Sequence, residues 1–127
     1  MKSVIAAGAP APIGPYSQAV ICGDIVYCSG QIGLTAEGHL AGSDLNSQAR
    51  QALNNLTAVI HAAGSEWGKV TRVEVYLVDL ADFDAFNALY REYCVAGAYP
   101  ARVTVGVAAL PKTARIEISC IAVLGQA

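Results

Sequence analysis

An arginine and a glutamate within residues 100–118, PARVTVGVAALPKTARIEI, are the side chains of this sequence best suited to chemistry. Both interrupt apolar, β-branched runs, where a charge is costly unless it is solvated, paired or used. Arg102 presents a planar fork that can hold a carboxylate through two hydrogen bonds, and Glu117 can hold or activate a water molecule. The pair points to chemistry on a small carboxylate-bearing molecule. An exposed salt bridge on an ordinary strand surface explains the spacing equally well.

Side-chain alternation assigns each charge to one face of a predicted strand. In the first strand Arg102, Thr104 and Gly106 share one face, and the valines between them share the other. In the second strand Glu117 and Ser119 share a face, with isoleucines opposite. If the two polar faces meet the same cavity, it contains a cation, a carboxylate and hydroxyl groups. The sequence leaves open whether they meet within one chain or across two chains.

Three other positions are candidates for binding a ligand. Tyr16 follows Gly-Pro in an ordered loop, where its hydroxyl contacts a ligand or its ring pins the N-terminal arm to the core. Asn87 lies in the middle of a predicted helix, and it faces solvent unless its amide orients a ligand or a neighbouring loop. Gly30 follows Ser29 at the end of a strand, where backbone amides become available, although turn formation is the commoner reason for such a glycine.

Other catalytic arrangements lack the residues that they need. His39 and His61 stand far apart and in different contexts, so neither a zinc site nor a histidine-activated nucleophile is expected. The sequence contains no P-loop and no GxGxxG motif. We therefore find no basis for a metal or nucleotide cofactor.

The composition predicts a soluble protein that covers part of its surface by self-association. Hydrophobic residues make up 54% of the chain and charged residues 14%, against about 25% charged in typical domains. No apolar run approaches the ~18 residues of a membrane span. The net charge is −2 and the basic residues form no run, so nucleic-acid binding is not indicated.

The cysteines indicate a reducing compartment. The four show no CxxC spacing, and Cys22, Cys28 and Cys120 stand among aliphatic or β-branched neighbours, as buried thiols do. The cytosol is the expected location, and the mitochondrion is the alternative.

Periodicity predicts the elements that position these residues. The predicted elements, in chain order, are a loop over 10–15, a hairpin of strands 19–22 and 25–29 around Gly23-Asp24, a short strand and a long loop over 30–42, a helix capped by Asp44 and closed by Gly64, a strand over 70–80, a helix capped by Asp82 and stopped near Gly97, and strands over 102–108 and 115–124.

Each predicted helix has one apolar stripe, so both are expected to pack on the same face of a single mixed sheet. The opposite face is then uncovered, and symmetric association of identical chains is the simplest way to bury it. No linker or repeat divides the sequence, which predicts a single domain over residues 1–127.

Five blocks of the sequence together resemble the RidA family, the reactive intermediate deaminase A proteins, named L-PSP endoribonucleases in older usage. The blocks are IGPYSQAV (13–20), SGQIG (29–33), QARQALNNL (48–56), VYLVDLADFDAFNALY (75–90) and PARVTVGVAALPKTARIEI (100–118). They stand in the family's order and cover essentially the whole chain.

The resemblance implies a chorismate-mutase-like α+β fold that assembles as a homotrimer, with ligand sites in the clefts between subunits. It also implies hydrolysis of 2-imino acids, such as 2-iminobutanoate and 2-iminopropanoate, to 2-oxo acids and ammonia, which protects pyridoxal-phosphate enzymes. The family uses no metal or organic cofactor, so the implied partners are a small imino or oxo acid and identical subunits.

The resemblance also assigns roles to residues. Arg102, in the family's PAR motif, would clamp the substrate carboxylate, and Glu117, in its IEI motif, would position the attacking water. Tyr16, Asn87 and backbone groups at Gly30 would line the cleft. Many members have cysteine where this chain has Thr104, so a nucleophilic cysteine role is absent here and Thr104 would face the substrate instead.

Two other functions compete with deamination. The older family name implies an endoribonuclease or translation inhibitor, but this acidic chain shows neither a basic surface nor well-placed histidines. A second alternative is a binding or chaperone-like trimer that holds small carboxylates without turnover. Retention of Arg102 favours catalysis over that reading.

Overall fold

The computed structural model describes residues 1–125, so residues 126 and 127 of the predicted domain lie outside the described part. The elements described there are β1 (Lys2–Val4), β2 (Ala19–Cys22), β3 (Ile25–Gln31), α1 (Leu45–Ala62), β4 (Val70–Leu77), α2 (Phe83–Arg91), β5 (Ala101–Gly106) and β6 (Ile116–Val123), with single 3₁₀ turns at Trp67–Lys69, Leu80–Asp82 and Pro111–Thr113.

The strands of residues 1–125 form one mixed sheet in the order β1-β2-β3-β6-β4-β5. The pairs β1–β2, β2–β3, β3–β6 and β4–β6 are antiparallel, and β4–β5 is parallel. The parallel pair requires a crossover, which α2 supplies between β4 and β5. In this strand order, β5, which carries Arg102, lies at the edge of the sheet, and β6, which carries Glu117, lies at its centre.

The predicted hairpin is confirmed, and its neighbours differ from the prediction. Cys22 pairs with Ile25 across a turn in which Gly23 has a φ of +62°. The separate strand expected within residues 30–42 is not formed, because β3 itself continues to Gln31 and one isolated bridge follows. The prediction of a buried Cys22 is wrong, since this residue ends β2 beside the turn and is exposed.

Helix α1 matches its prediction at both ends. The Asp44 carboxylate accepts a hydrogen bond from the Ser47 amide at 2.9 Å, and Gly64 follows the helix with a φ of +88°, which a glycine adopts without strain. Its fully buried side chains include Leu53, Leu56 and Ile60, and they pack on the central strands of the sheet. This helix contributes more buried residues to the hydrophobic core than any other element of residues 1–125.

Helix α2 begins directly after Asp82, as predicted, but neither the capping hydrogen bond of Asp82 nor a stop near Gly97 is present. Asp82 makes no capping hydrogen bond, and its carboxylate instead pairs with the Arg115 guanidinium at 2.9 Å. The capping contact in this region comes from Asp79, which accepts from the Ala81 amide at 2.9 Å. The helix ends at Arg91, ahead of Gly97, and a turn-rich segment leads on to β5.

Both helices lie on the same face of the sheet, as predicted. The buried residues of β4 and β6, among them Val73, Val75 and Ile118, point to that face. The opposite face, here called the open face, carries Tyr27 and Val105, which are 44% and 39% exposed. Association of copies through the open face stays a prediction. Within residues 1–125, neither helix combines the length and hydropathy that a membrane crossing needs.

Candidate functional site

The two predicted catalytic charges lie on opposite faces of the sheet. Arg102 pairs in register with Val73, whose side chain is fully buried under the helices, so the arginine also points to the helix face. Glu117 pairs with Tyr76, which belongs to the open face. The alternation predicted for each strand is present, but one chain does not bring Arg102 and Glu117 into the same cavity.

The structure instead contains two separate pockets, each with part of the predicted site. A cavity of about 300 Å³, here called the arginine pocket, is lined by Asn87, Tyr90, Arg91, Tyr99, Pro100 and Arg102. A second cavity of about 310 Å³, here called the glutamate pocket, is lined by Ile13, Tyr16, Ser29, Gly30, Ile32, Pro111 and Glu117. The arginine pocket contains Arg102 and Asn87, and the glutamate pocket contains Tyr16, Gly30 and Glu117.

Arg102 is held in place by helix α2. Its Nη2 donates a hydrogen bond to Asn87 Oδ1 at 2.7 Å. Its guanidinium lies 5.5 Å from the ring centroids of Phe83 and Phe86 and 5.0 Å from that of Tyr90. A cation over aromatic rings is attracted by their electron-rich faces. In the part of the chain that is described, Arg102 makes no ion pair with a carboxylate, so its charge is available to an anionic ligand.

Buried hydroxyl groups lie close to the fixed arginine. Thr104 follows Arg102 on the same face of β5, and the hydroxyls of Thr104 and Tyr90 are buried without a hydrogen-bond partner among residues 1–125. Burial, and secondarily the neighbouring Cys94 thiol, raises the pKa of Tyr90, which keeps its hydroxyl protonated and able to donate. Although the Cys94 thiol is near, it does not satisfy this hydroxyl with a well-formed bond. Unsatisfied buried hydroxyls of this kind are uncommon and mark places where a ligand can bind.

Glu117 is half-buried in the glutamate pocket and makes no hydrogen bond or ion pair with the residues described. Burial raises the pKa of its carboxyl group, because the charged form loses hydration without gaining a partner. A carboxylate that is poised in this way accepts a proton from water more readily than an ordinary exposed glutamate.

Gly30 provides the space that the Glu117 carboxyl group occupies. A Cβ atom at Gly30 would lie 2.8 Å from the Glu117 carboxyl carbon, closer than real contacts allow. The position falls in an irregularity of the β3–β6 pairing, between Cys28 and Gln31. Sequence reasoning predicted that backbone groups at Gly30 approach a ligand. The structure adds a different reason for glycine here, namely that any side chain would displace the carboxylate.

Tyr16 lies at the mouth of the glutamate pocket and is 48% exposed. The Ile13 amide donates to its hydroxyl oxygen at 3.3 Å, and the Tyr16 amide donates to the Gly14 carbonyl at 2.9 Å. The ring therefore organises its own loop, and the hydroxyl proton is still free to reach a ligand.

The turn that supplies Pro111 is fixed by long-range contacts. The buried Gln48 side chain accepts from the Arg115 amide at 2.8 Å and donates to the Gly42 carbonyl at 2.8 Å. Lys112 and Thr113 have φ values of +59° and +56°, which strain residues with a Cβ atom. Strained backbone next to a pocket persists only where the surroundings hold it.

Sequence analysis did not single out several side chains in and around the two pockets. Phe83, Phe86 and Tyr90 belong to the apolar stripe of α2, and this stripe places them beside Arg102 only once β5 is known to lie next to the helix. Arg91 and Tyr99 carry no sequence signal. No group of three His, Cys, Asp or Glu side chains among residues 1–125 is arranged to hold a metal ion.

Comparison with known proteins gives consistent matches along the chain. A family model described as endoribonuclease L-PSP matches residues 6–124, a range that contains every residue lining either pocket. A 2-iminobutanoate/2-iminopropanoate deaminase of Capra hircus is 44% identical over 98% of this chain and 90% of its own length. A RutC family protein of Synechocystis is 42% identical over 98% of this chain and 97% of its own length.

A solved structure has the same fold. The crystal structure of E. coli TdcF with bound serine aligns with a TM-score of 0.90 at 37% sequence identity, covering 97% of this chain and 98% of that chain. The predicted α+β architecture, a mixed sheet with two helices on one face, is confirmed by this match and by the topology of residues 1–125.

Proposed function

Since the chain belongs to the L-PSP endoribonuclease family, also called RidA, we propose that it hydrolyses reactive 2-imino acids to 2-oxo acids and ammonia, as a 2-iminobutanoate/2-iminopropanoate deaminase. The name of the Capra hircus relative supports this activity. The observation that carries the proposal is Arg102, a cation without an anionic partner among the described residues, fixed at a pocket edge by Asn87 and three aromatic rings.

Arg102 is suited to bind the carboxylate next to the imine carbon. A planar guanidinium can donate two parallel hydrogen bonds to a carboxylate, which fixes the orientation of the molecule as well as its position. The hydrogen bond to Asn87 uses one edge of the guanidinium and leaves other N–H groups free. TdcF is recorded with serine, a small molecule that also bears a carboxylate.

Glu117 is suited to handle the water. An imine carbon is already electrophilic, so the reaction needs orientation and a placed water more than a strong nucleophile. Glu117 would accept a proton as the water oxygen bonds to this carbon, and it would return a proton to the nitrogen as the C–N bond breaks and ammonia leaves. The raised pKa of Glu117 suits both steps.

We further propose that the complete site forms between copies of the chain, as a homotrimer in which the arginine pocket of one subunit meets the glutamate pocket of the next. The two pockets lie on opposite faces of one sheet, so a single chain does not close a site around both charges. The open face, with its exposed Tyr27 and Val105, and the edge strand β5 give a neighbouring copy a surface to cover.

The test is a coupled assay in which an L-amino-acid oxidase generates a 2-imino acid and the decay of the imine is followed. We expect the wild-type protein to accelerate the decay, and Arg102→Ala to lower kcat/KM by more than about a hundredfold, because two charge-assisted hydrogen bonds are lost. Arg50→Ala is the matched control, since Arg50 also lies near an aromatic ring and pairs with exposed Glu92.

Unchanged imine decay with the wild-type protein would overturn the deaminase proposal. If small oxo acids nevertheless bound at the arginine pocket, the binding-module alternative would replace it. The ribonuclease alternative has only the family name in its support, since neither His39 nor His61 lines a pocket described here.

A further inference from the structure

The arginine pocket contains a second arginine that hydrolysis of a monocarboxylic imine does not use. Arg91 lines the same cavity as Arg102 and lies one helical turn beyond Asn87 on α2. It is exposed and takes part in neither ion pair found among residues 1–125. The nearest carboxylate in the sequence, Glu92, is already paired with Arg50 at 3.1 Å.

Two uncharged side chains of this pocket, Asn87 and Tyr90, can also donate hydrogen bonds. Asn87 uses its oxygen to accept from Arg102, which leaves its amide nitrogen to donate. Tyr90 is only 6% exposed, and its hydroxyl is buried without a partner in the described chain. No aspartate or glutamate lines the cavity among residues 1–125. A pocket with two guanidinium groups, an amide donor and a protonated phenol attracts more than one negative charge.

We propose that the arginine pocket selects 2-imino dicarboxylic acids, with Arg102 holding the carboxylate beside the imine carbon and Arg91 holding the distal carboxylate. This inference rests on the proposed deaminase function and names its substrate class. The cavity of about 300 Å³ is at the small end of ligand pockets, which fits a short-chain diacid. The chemistry is unchanged: water oxygen becomes the oxo oxygen, the C=N bond is lost, nitrogen leaves as ammonia, and the distal carboxylate is a spectator.

The proposal predicts a selective effect of Arg91. An exposed ion pair contributes up to about 1 kcal/mol, which corresponds to about a fivefold change in affinity. Arg91→Ala should therefore lower kcat/KM for a dicarboxylic imine about fivefold and leave that for a monocarboxylic imine within about twofold. Arg91→Lys keeps the charge and should recover most of the loss, whereas Arg91→Glu should deepen it, because a like charge repels the distal carboxylate.

The experiment compares 2-iminoglutarate, made by an L-glutamate oxidase, with 2-iminobutanoate, made by an L-amino-acid oxidase. Lys69→Ala is the control for the loss of one positive charge, because Lys69 lies outside the arginine pocket. Binding of 2-oxoglutarate and of 2-oxobutanoate to the same variants, measured by calorimetry, gives a second readout that does not depend on turnover.

The outcomes separate the two proposals. If the wild-type protein hydrolyses neither imine but binds 2-oxoglutarate in an Arg91-dependent way, the deaminase function fails and the dicarboxylate site stands. If it hydrolyses 2-iminobutanoate and Arg91→Ala alters neither substrate, or lowers both equally, the dicarboxylate inference is overturned and the deaminase function stands. Preference for the dicarboxylic imine that disappears in Arg91→Ala supports both.

Discussion

The arginine pocket and the glutamate pocket are built by opposite means. Arg102 is surrounded: one hydrogen bond of 2.7 Å and three aromatic rings hold its guanidinium against α2. Glu117 is isolated: its carboxyl group occupies the space left by the missing side chain of Gly30, and the end of β3 together with neighbouring loops forms the walls around it. The arginine pocket is therefore organised before a ligand binds. The glutamate pocket holds a half-buried carboxylate that has no partner among residues 1–125.

This difference fits a division of labour in the proposed reaction. Binding of a carboxylate gains from a fixed cation, because little side-chain entropy remains to be lost. Proton transfer gains instead from a group whose charged form is not overstabilised, since an ion-paired glutamate would be a weaker base. A neighbouring copy that joined the two pockets would bring both properties to one substrate.

The largest predicted effect tests whether the two pockets work together across subunits. Arg102→Ala and Glu117→Gln should each be nearly inactive, with Glu117→Gln lower by about 10²–10⁴-fold in kcat because acid–base catalysis is lost. When the two variants are unfolded together and refolded, sites that combine an intact arginine pocket with an intact glutamate pocket should restore about a quarter of wild-type activity, as random mixing in a symmetric assembly gives.

Each variant refolded alone is the control for this mixing experiment, and the size of the assemblies is checked by light scattering. A mixture that stays as inactive as its components, although mixed assemblies have formed, would contradict a site shared between two subunits.

A smaller effect is expected from filling the space beneath the carboxyl group. Gly30→Ala should lower kcat about tenfold to a hundredfold, because the new methyl group displaces Glu117 and misplaces the water. The KM should change little, since the arginine pocket is untouched. Gly68→Ala is the matched control, because a Cβ atom there meets its nearest neighbour at an ordinary 3.5 Å. Full activity of Gly30→Ala would contradict the role of Glu117.

The arginine pocket should respond in the opposite way, through binding. Asn87→Ala removes the hydrogen bond that orients Arg102 and should raise KM about tenfold with a smaller change in kcat, in line with the loss of one charge-assisted bond. Asn87→Asp should raise KM further, because its carboxylate competes with the substrate for Arg102. Asn46→Ala, on the exposed side of α1, is the control. Equal KM values for the Ala and Asp variants would argue against a positioning role.

Local patterns predicted the parts of these pockets but not their relation. Alternation along β5 and β6 correctly placed Arg102 apart from the valines and Glu117 apart from the isoleucines, because alternation is a property of one strand. The side of the sheet to which each polar face turns depends on the register of β5 with β4 and of β4 with β6. Those pairings join residues far apart in the sequence. Local patterns therefore could not predict that Arg102 and Glu117 lie on opposite sides of the sheet.

The same contrast explains why the predicted capping hydrogen bond is present at Asp44 and absent at Asp82. Asp44 caps α1 through a contact three residues away, which a local motif can show. Asp82 resembles a cap in sequence, yet its carboxylate bonds Arg115, and no local pattern signals that partner. Two other features were missed for a similar reason. The strand β1 has three residues, too few to show a periodic pattern. The apolar stripe of α2 does not indicate which strand packs against it, so the contact of its aromatic rings with Arg102 could not be predicted.

The smallest predicted effect concerns the stability of the folded protein, and it comes from Glu117 and not from Arg102. Burial raises the pKa of Glu117 in the folded chain, so the folded state binds more protons than the unfolded state between the two pKa values, and stability falls as the pH rises through that window. Glu117→Gln should remove this loss. Its denaturation midpoint should equal that of the wild-type protein at a pH below the ordinary glutamate pKa of about 4.3 and exceed it modestly at neutral pH. Denaturant unfolding at both pH values measures the difference.

A midpoint below that of the wild-type protein at neutral pH would mean that a cation from a neighbouring copy stabilises the carboxylate, and Arg102→Ala in the same assay identifies whether that cation is Arg102.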